Sequence, residues 1–173
     1  MLLEGKTAVV YGGGGKVGGA VARAFASEGA RVFLAGRTMG TLDEVAENIA
    51  SAGGVAETAQ VDALDEQAIE KHIGEVVERA GSVDISFNAI SIQDVQLTPL
   101  VEMTREDFVR PIGTGTSTHF LTARAAARRM ATQGSGVILT FSVSSRSLLG
   151  RGTTLAVATT GTVINLTSGT VVD

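Results

Sequence analysis

Residues Thr7–Phe25 read TAVVYGGGGKVGGAVARAF, and the reading of this stretch decides the fold. Thr7 to Tyr11 is a short apolar run bounded by glycine, the pattern of a buried strand. From Val17 onward apolar residues recur at helical spacing, with Val17, Val21, Ala24 and Phe25 as the predicted buried face and Gly29 as the stop. Gly12 to Gly15 stand between the two. A strand that turns through glycines into a helix gathers free backbone N–H groups and the positive end of the helix dipole at one point. Glycine permits the sharp turn and lets a ligand approach the backbone closely. Gly13, Gly15 and Gly18 fit the G-x-G-x-x-G spacing of a pyrophosphate site. The plainer alternative is a permissive turn; the strand before it and the helix behind it favour the nucleotide reading.

The same alternation continues outward. Arg31–Gly36 (RVFLAG) reads as a second strand. The next helix places Leu42, Val45, Ala46 and Ile49 on one face and stops at Gly53. Val55–Asp62 reads as a third strand. The helix after it has Ile69, Ile73, Val76 and Val77 inward, with His72 in the solvated part of the pattern. Val83–Ser91 (VDISFNAIS) holds a fourth strand, Thr104 to Met130 is mostly helical with His119 packed in that helix, and Gly136–Ser142 is a fifth strand. Regular β–α alternation predicts an α/β protein with a Rossmann-like, doubly wound parallel sheet in three αβα layers. No linker, repeat or low-complexity tract interrupts it, so residues 1–173 read as a single dinucleotide-binding domain.

Composition narrows the function. The chain has 173 residues, 44% hydrophobic and 18% charged, which suits a folded domain with a sizeable core. There is no Cys, so disulfides and thiolate metal sites are excluded, and no metal site is predicted. The net charge of −4 without a basic block argues against nucleic acid. No apolar run approaches the ~18 residues that span a bilayer. The N-terminus lacks a basic region followed by a long apolar one, and a cytoplasmic location is predicted.

In these features the chain resembles the short-chain dehydrogenase/reductase family. YGGGGKVG (Tyr11 to Gly18) overlays the family loop TGxxxGxG with Gly12 and Gly18 matching, Tyr11 at the Thr and Lys16 at the middle glycine. LAGRT (Leu34–Thr38) resembles the family's NADP-type strand ending. QVDALD carries the adenine-site aspartate at Asp62, and Asn88-Ala89-Ile90-Ser91 stands at the family's NNAG. TPLVEMTREDF, HFLTARAAARRM and GSGVILTFSVSS resemble the lead-in to the long interface helix, that helix, and the fifth strand with its serine-bearing loop. The resemblance implies a sheet ordered 3-2-1-4-5-[6]-7. It implies cofactor contacts at Gly12, Gly14, Gly15, Lys16, Val17, Gly18, Arg37, Thr38, Asp62, Ala63, Asn88, Ala89 and Ile90. Cofactor choice has a physical argument of its own. An acid at the end of the second strand would accept from a ribose 2′-OH and repel a 2′-phosphate. Here Gly36 and Arg37 stand there, and a guanidinium grips phosphate in bidentate fashion. With Lys16 nearby, NADP(H) is predicted over NAD(H).

The catalytic half reads differently. The family's relay Asn falls on Gly115, which has no side chain, and its Ser falls on Val143, with Ser144 the candidate in its place and a self-bonded turn the alternative. The sole Tyr is Tyr11. If Leu149–Asp173 were the catalytic helix, Ala156 and Thr160 would replace the family's Tyr and Lys. TGTVINLTSGTVVD is instead dense in β-branched residues and glycine and resembles the family's C-terminal strand signature, with Thr160, Gly161, Ile164, Asn165 and Gly169 in place. That reading predicts Gly161–Leu166 as a strand set apart from the fifth. It also predicts that a segment near 153–158, with the catalytic helix and sixth strand, is absent from the chain. The expected function is NADP(H)-dependent hydride transfer with a small carbonyl or alcohol substrate. The alternatives are a non-catalytic dinucleotide-binding subunit or sensor, and a divergent enoyl-thioester reductase. Thr104–Met130 is apolar on more than one face, so self-association as a homotetramer or dimer is expected.

Overall fold

The computed structural model describes residues 1–92, 95, 98, 99 and 101–140. In chain order these form β1 (Thr7–Tyr11), α1 (Lys16–Ser27), β2 (Arg31–Gly36), α2 (Met39–Ser51), β3 (Val55–Gln60), α3 (Glu66–Ala80), β4 (Ile85–Asn88), α4 (Arg105–Gln133) and β5 (Val137–Thr140). The strands make one parallel sheet in the order β3-β2-β1-β4-β5. Ser144, Val143, the 153–158 segment and the strand expected at Gly161–Leu166 lie outside the described residues, as do positions 6 and 7 of the sheet order.

The central strands are buried on both faces, and period-2 alternation divides their side chains between two cores. Ala8 and Val10 of β1 and Val32 and Leu34 of β2 face α1 and α2, against Ala22, Leu42, Val45 and Ile49. Val9, Tyr11, Phe33 and Ala35 face the other way, against Ile69, Ile73 and Val76 of α3 and Ala125, Ala126 and Met130 of α4. At the amino edge, the Asp84 carboxylate accepts from the Thr7 N–H at 2.9 Å, the Lys6 ammonium at 3.2 Å and the Ser82 hydroxyl at 2.9 Å, joining β1 to the entry of β4.

Two sequence expectations fail here. The buried face of α1 is Gly18, Gly19, Ala22 and Ala26 rather than the Val17, Val21, Ala24, Phe25 stripe. Val17 is 41% exposed, and Val21 and Phe25 pack at the margin of the core. The helix sits so close to the sheet that only glycine and alanine fit beneath it; a Cβ on Gly18 would overlap the Gly12 carbonyl oxygen. His72 is not solvated either: it is 4% exposed and shares the α3 stripe of Ile69, Ile73 and Val76. Tyr11, at the end of β1, turns its ring toward α3. The two rings meet edge to face at 5.7 Å, with the phenol oxygen 3.4 Å from His72 Nδ1.

Burial holds the His72 imidazole neutral, with its pKa lowered from 6.5 to about 4. Between those values the unfolded chain binds a proton there that the folded chain excludes, so stability is full above pH 6.5 and falls as pH drops toward 4. The loss from this group reaches up to roughly 3 kcal/mol. Chemical denaturation across that range is expected to show a shallower decline for His72→Leu than for the wild type; parallel declines would contradict it.

Candidate functional site

Four strands end side by side at the carboxyl edge of the sheet. Tyr11 pairs with Ala35 and with Asn88, and Gly36 pairs with Gln60. From β1 successive strands are added on one side as β2 and β3 and on the other as β4 and β5, all parallel. The crevice between the ends of β1 and β4 is therefore the topological switch point, where parallel α/β sheets receive ligands.

The glycine loop builds one wall of that crevice. Gly12 has φ +76°, a conformation that favours glycine, and its N–H donates to Ala35 O at 2.8 Å. A Cβ on Gly12 would lie 2.8 Å from both the carbonyl carbon and oxygen of Ala89 and 2.9 Å from Ile90 N, so the loop rests directly on the 89–90 peptide. Gly15 N–H closes the turn onto Gly12 O at 3.0 Å and is the N-cap of α1. A Cβ on Gly14 would collide with Thr41 of α2.

Helix capping separates the N-termini of α1 and α2 from those of α3 and α4. Asp65 caps α3 by accepting from Gln67 and Ala68 N–H, and Thr104 caps α4 by accepting from Asp107 N–H. No side chain caps α1 at Gly15 or α2 at Thr38. The first-turn N–H groups of α1, those of Lys16, Val17 and Gly18, have no side-chain cap and could hold an anion, and side chains at the glycines around them would fill the space.

The remaining residues singled out in the sequence collect on the same edge. Arg37 and Thr38 are exposed at the exit of β2, where the Arg37 carbonyl accepts from Gln60 Nε2 at 3.0 Å. Lys16 is exposed at the first position of α1. Asp62 is exposed just past β3 and accepts from Leu64 N–H at 3.0 Å. Ala63 and Asn88 are buried; Ala89 and Ile90 are half-buried beside Gly12. The Asn88 amide is bonded inward to Thr122 of α4, a residue the sequence analysis passed over. The signal available was a small polar stripe, Gly115, Thr118 and Thr122, at helical spacing on an otherwise alanine-rich face.

Proton chemistry is sparse among the described residues. Burial, with the Glu70 charge adding to it, raises the Tyr11 phenol well above its ordinary pKa, and the ring is sealed in the core. Gly115 is buried in α4, and a Cβ there would lie 3.0 Å from Ile92 Cγ2, which closes the space a longer side chain would need. Burial also lowers the pKa of half-buried His119.

Comparison with known proteins agrees with this geometry. Residues 15–168 match the family described as enoyl-(acyl carrier protein) reductase. The chain is 39% identical over 155 residues to an L-rhamnose 1-dehydrogenase (NAD(P)(+)) of Azotobacter vinelandii, covering 86% of this chain and 59% of that protein. It is 32% identical over 171 residues to a gluconate 5-dehydrogenase of Gluconobacter oxydans, covering 99% of this chain and 66% of that one. Among solved structures, a metagenomic short-chain oxidoreductase in complex with NADP superposes with a TM-score of 0.73 at 31% identity, over 84% of this chain and 65% of its own. The chain thus spans less than two thirds of the length of these relatives.

Gly18→Ala is expected to lower Tm and to weaken dinucleotide affinity by roughly tenfold or more even where the chain is folded, because overpacking at Gly12 O displaces the loop. Fluorescence titration beside a melting curve checks it; unchanged affinity would mean that the loop geometry is not what binds.

Proposed function

This chain belongs to the short-chain dehydrogenase/reductase family, and from that premise we propose that it is an NADP(H)-dependent oxidoreductase acting on a small carbonyl or alcohol. Sugars and sugar acids are the first substrates to try, because the named relatives act on L-rhamnose and gluconate. The observation that carries the reading is the crevice itself: an uncapped helix N-terminus behind a glycine cradle, at the switch point of a parallel sheet.

The bound dinucleotide would supply the hydride. Backbone N–H groups of Lys16, Val17 and Gly18 would hold its pyrophosphate. Arg37 would grip the 2′-phosphate with Lys16 adding charge, and Asp62 would meet the adenine end. Ala89 and Ile90 would border the dinucleotide beside Gly12. Ser144 is the proposed substrate-orienting group. Residues 1–173 are read as one dinucleotide-binding domain. Self-association as a homotetramer or dimer is supported by the exposure of Val109 and Phe120 on α4, and sedimentation showing only monomer at micromolar concentration would count against it. Among the described residues no helix is long and apolar enough to cross a membrane, and a cytoplasmic location is proposed. A second reading, a dinucleotide-binding subunit without turnover, is favoured by Gly115 and by the sealing of Tyr11 in the core.

NADPH is expected to bind more tightly than NADH. Arg37→Ala should remove most of that preference, on the order of 1–3 kcal/mol for a charge-assisted bond. Equal affinity of the wild type for both would overturn the cofactor choice. Turnover of NADP⁺ with a panel of sugars separates the two readings, since binding without turnover supports the subunit.

A further inference from the structure

Thr122 lies in the middle of α4, far from the glycine loop in sequence, yet a short chain of hydrogen bonds leads from it to the peptide on which that loop rests. Asn88 is 3% exposed, and its orientation is fixed from both ends. Its Oδ1 accepts from Ile90 N–H at 2.9 Å, which leaves Nδ2 to donate to Thr122 Oγ1 at 3.1 Å. The Thr122 hydroxyl, 2% exposed as a residue, donates in turn to Thr118 O at 2.8 Å. Its hydrogen is therefore engaged within the helix, and its lone pairs face Asn88. Linked donors and acceptors of this kind polarise one another in a dry interior.

The far end of this chain is the 89–90 peptide, the surface on which Gly12 rests. The Ala89 N–H, in the peptide just before it, is bonded to Tyr11 O at 2.9 Å, so the 88–90 backbone is held from β1 on one side and, through the Asn88 side chain, from α4 on the other. We infer that Thr122 is a positioning residue for the dinucleotide crevice: through Asn88 it sets where the 89–90 peptide stands, and hence how the glycine loop is shaped. The inference rests on the proposed dinucleotide binding and adds to it a residue that touches no ligand. Because it shapes the wall common to both dinucleotides, its loss should weaken NADPH and NADH alike. Arg37 acts on the 2′-phosphate and should separate them.

The test uses the full chain, with NADPH and NADH titrated against wild type, Thr122→Val, Thr122→Ala and Thr122→Ser, each well below its own Tm. Val conserves shape and removes the acceptor, Ala covers the case in which Val does not fold, and Ser restores the hydroxyl. The expected result is a roughly three- to tenfold weaker Kd for both dinucleotides in the Val or Ala variant, with the NADPH/NADH ratio unchanged and with Ser close to wild type. A lower Tm with unchanged Kd would reduce Thr122 to a structural residue and overturn the inference, as would a changed cofactor ratio or a Ser variant as weak as Val. A wild type that binds neither dinucleotide would overturn the parent reading itself, so the two failures are distinguishable.

Discussion

At Gly12 two pieces of backbone touch with no side chain between them. The loop leaving β1 lies against the 89–90 peptide leaving β4, and the Gly12 carbonyl lies against Gly18 of α1. Any Cβ at Gly12 or Gly18 would push apart the strand ends, the helix or both. The rest of the carboxyl edge follows from that contact. It sets the first turn of α1 against the loop at the switch point. Close approach also explains why α1 buries glycine and alanine while its larger residues stand at the margin.

Around that contact the two cores do different work. The α1/α2 side is apolar throughout its buried set, from Ala8 to Phe87, and serves packing. The α3/α4 side admits polar groups: His72 beside Tyr11, and Asn88 beside Thr122. Buried polar groups are tolerated where partners satisfy them. Asn88 meets that condition at both ends of its amide, whereas His72 keeps Nε2 without a hydrogen-bond partner among the described residues. The α3/α4 side is therefore where burial most changes the chemistry of individual groups, lowering His72 and raising Tyr11. Ion pairs bind the same two helices from outside, with Arg128 reaching Glu70 at 2.6 Å and Arg124 reaching Glu66.

Cofactor recognition and catalysis are unequally represented in the described residues. An uncapped helix N-terminus and a glycine turn stand together at the carboxyl edge. The groups that would move a proton are not assembled there: Gly115 offers no side chain, and Tyr11 is turned into the core.

Much of this was legible in the sequence, and for a definite reason. Strand and helix positions depend on local apolar periodicity, so β1 to β5 and the faces of α2 and α3 at Leu42, Val45, Ile49, Ile69, Ile73 and Val76 could be read directly. In the glycine loop only Gly12 has a backbone conformation that demands glycine locally; at Gly14 and Gly18 the nearness of Thr41 and of the Gly12 carbonyl leaves no room for a side chain. What the sequence alone could not determine was each residue's distance from its neighbours across the fold. Periodicity ranks residues by apolarity, and so it placed Val17 inward and His72 outward. The tertiary structure reversed both, because the close approach of α1 to the sheet admits no Cβ at Gly18, and because the ring of Tyr11 meets α3 at His72. The Asn88–Thr122 bond spans 34 residues and exists only once β4 and α4 have packed, so no local pattern could announce it.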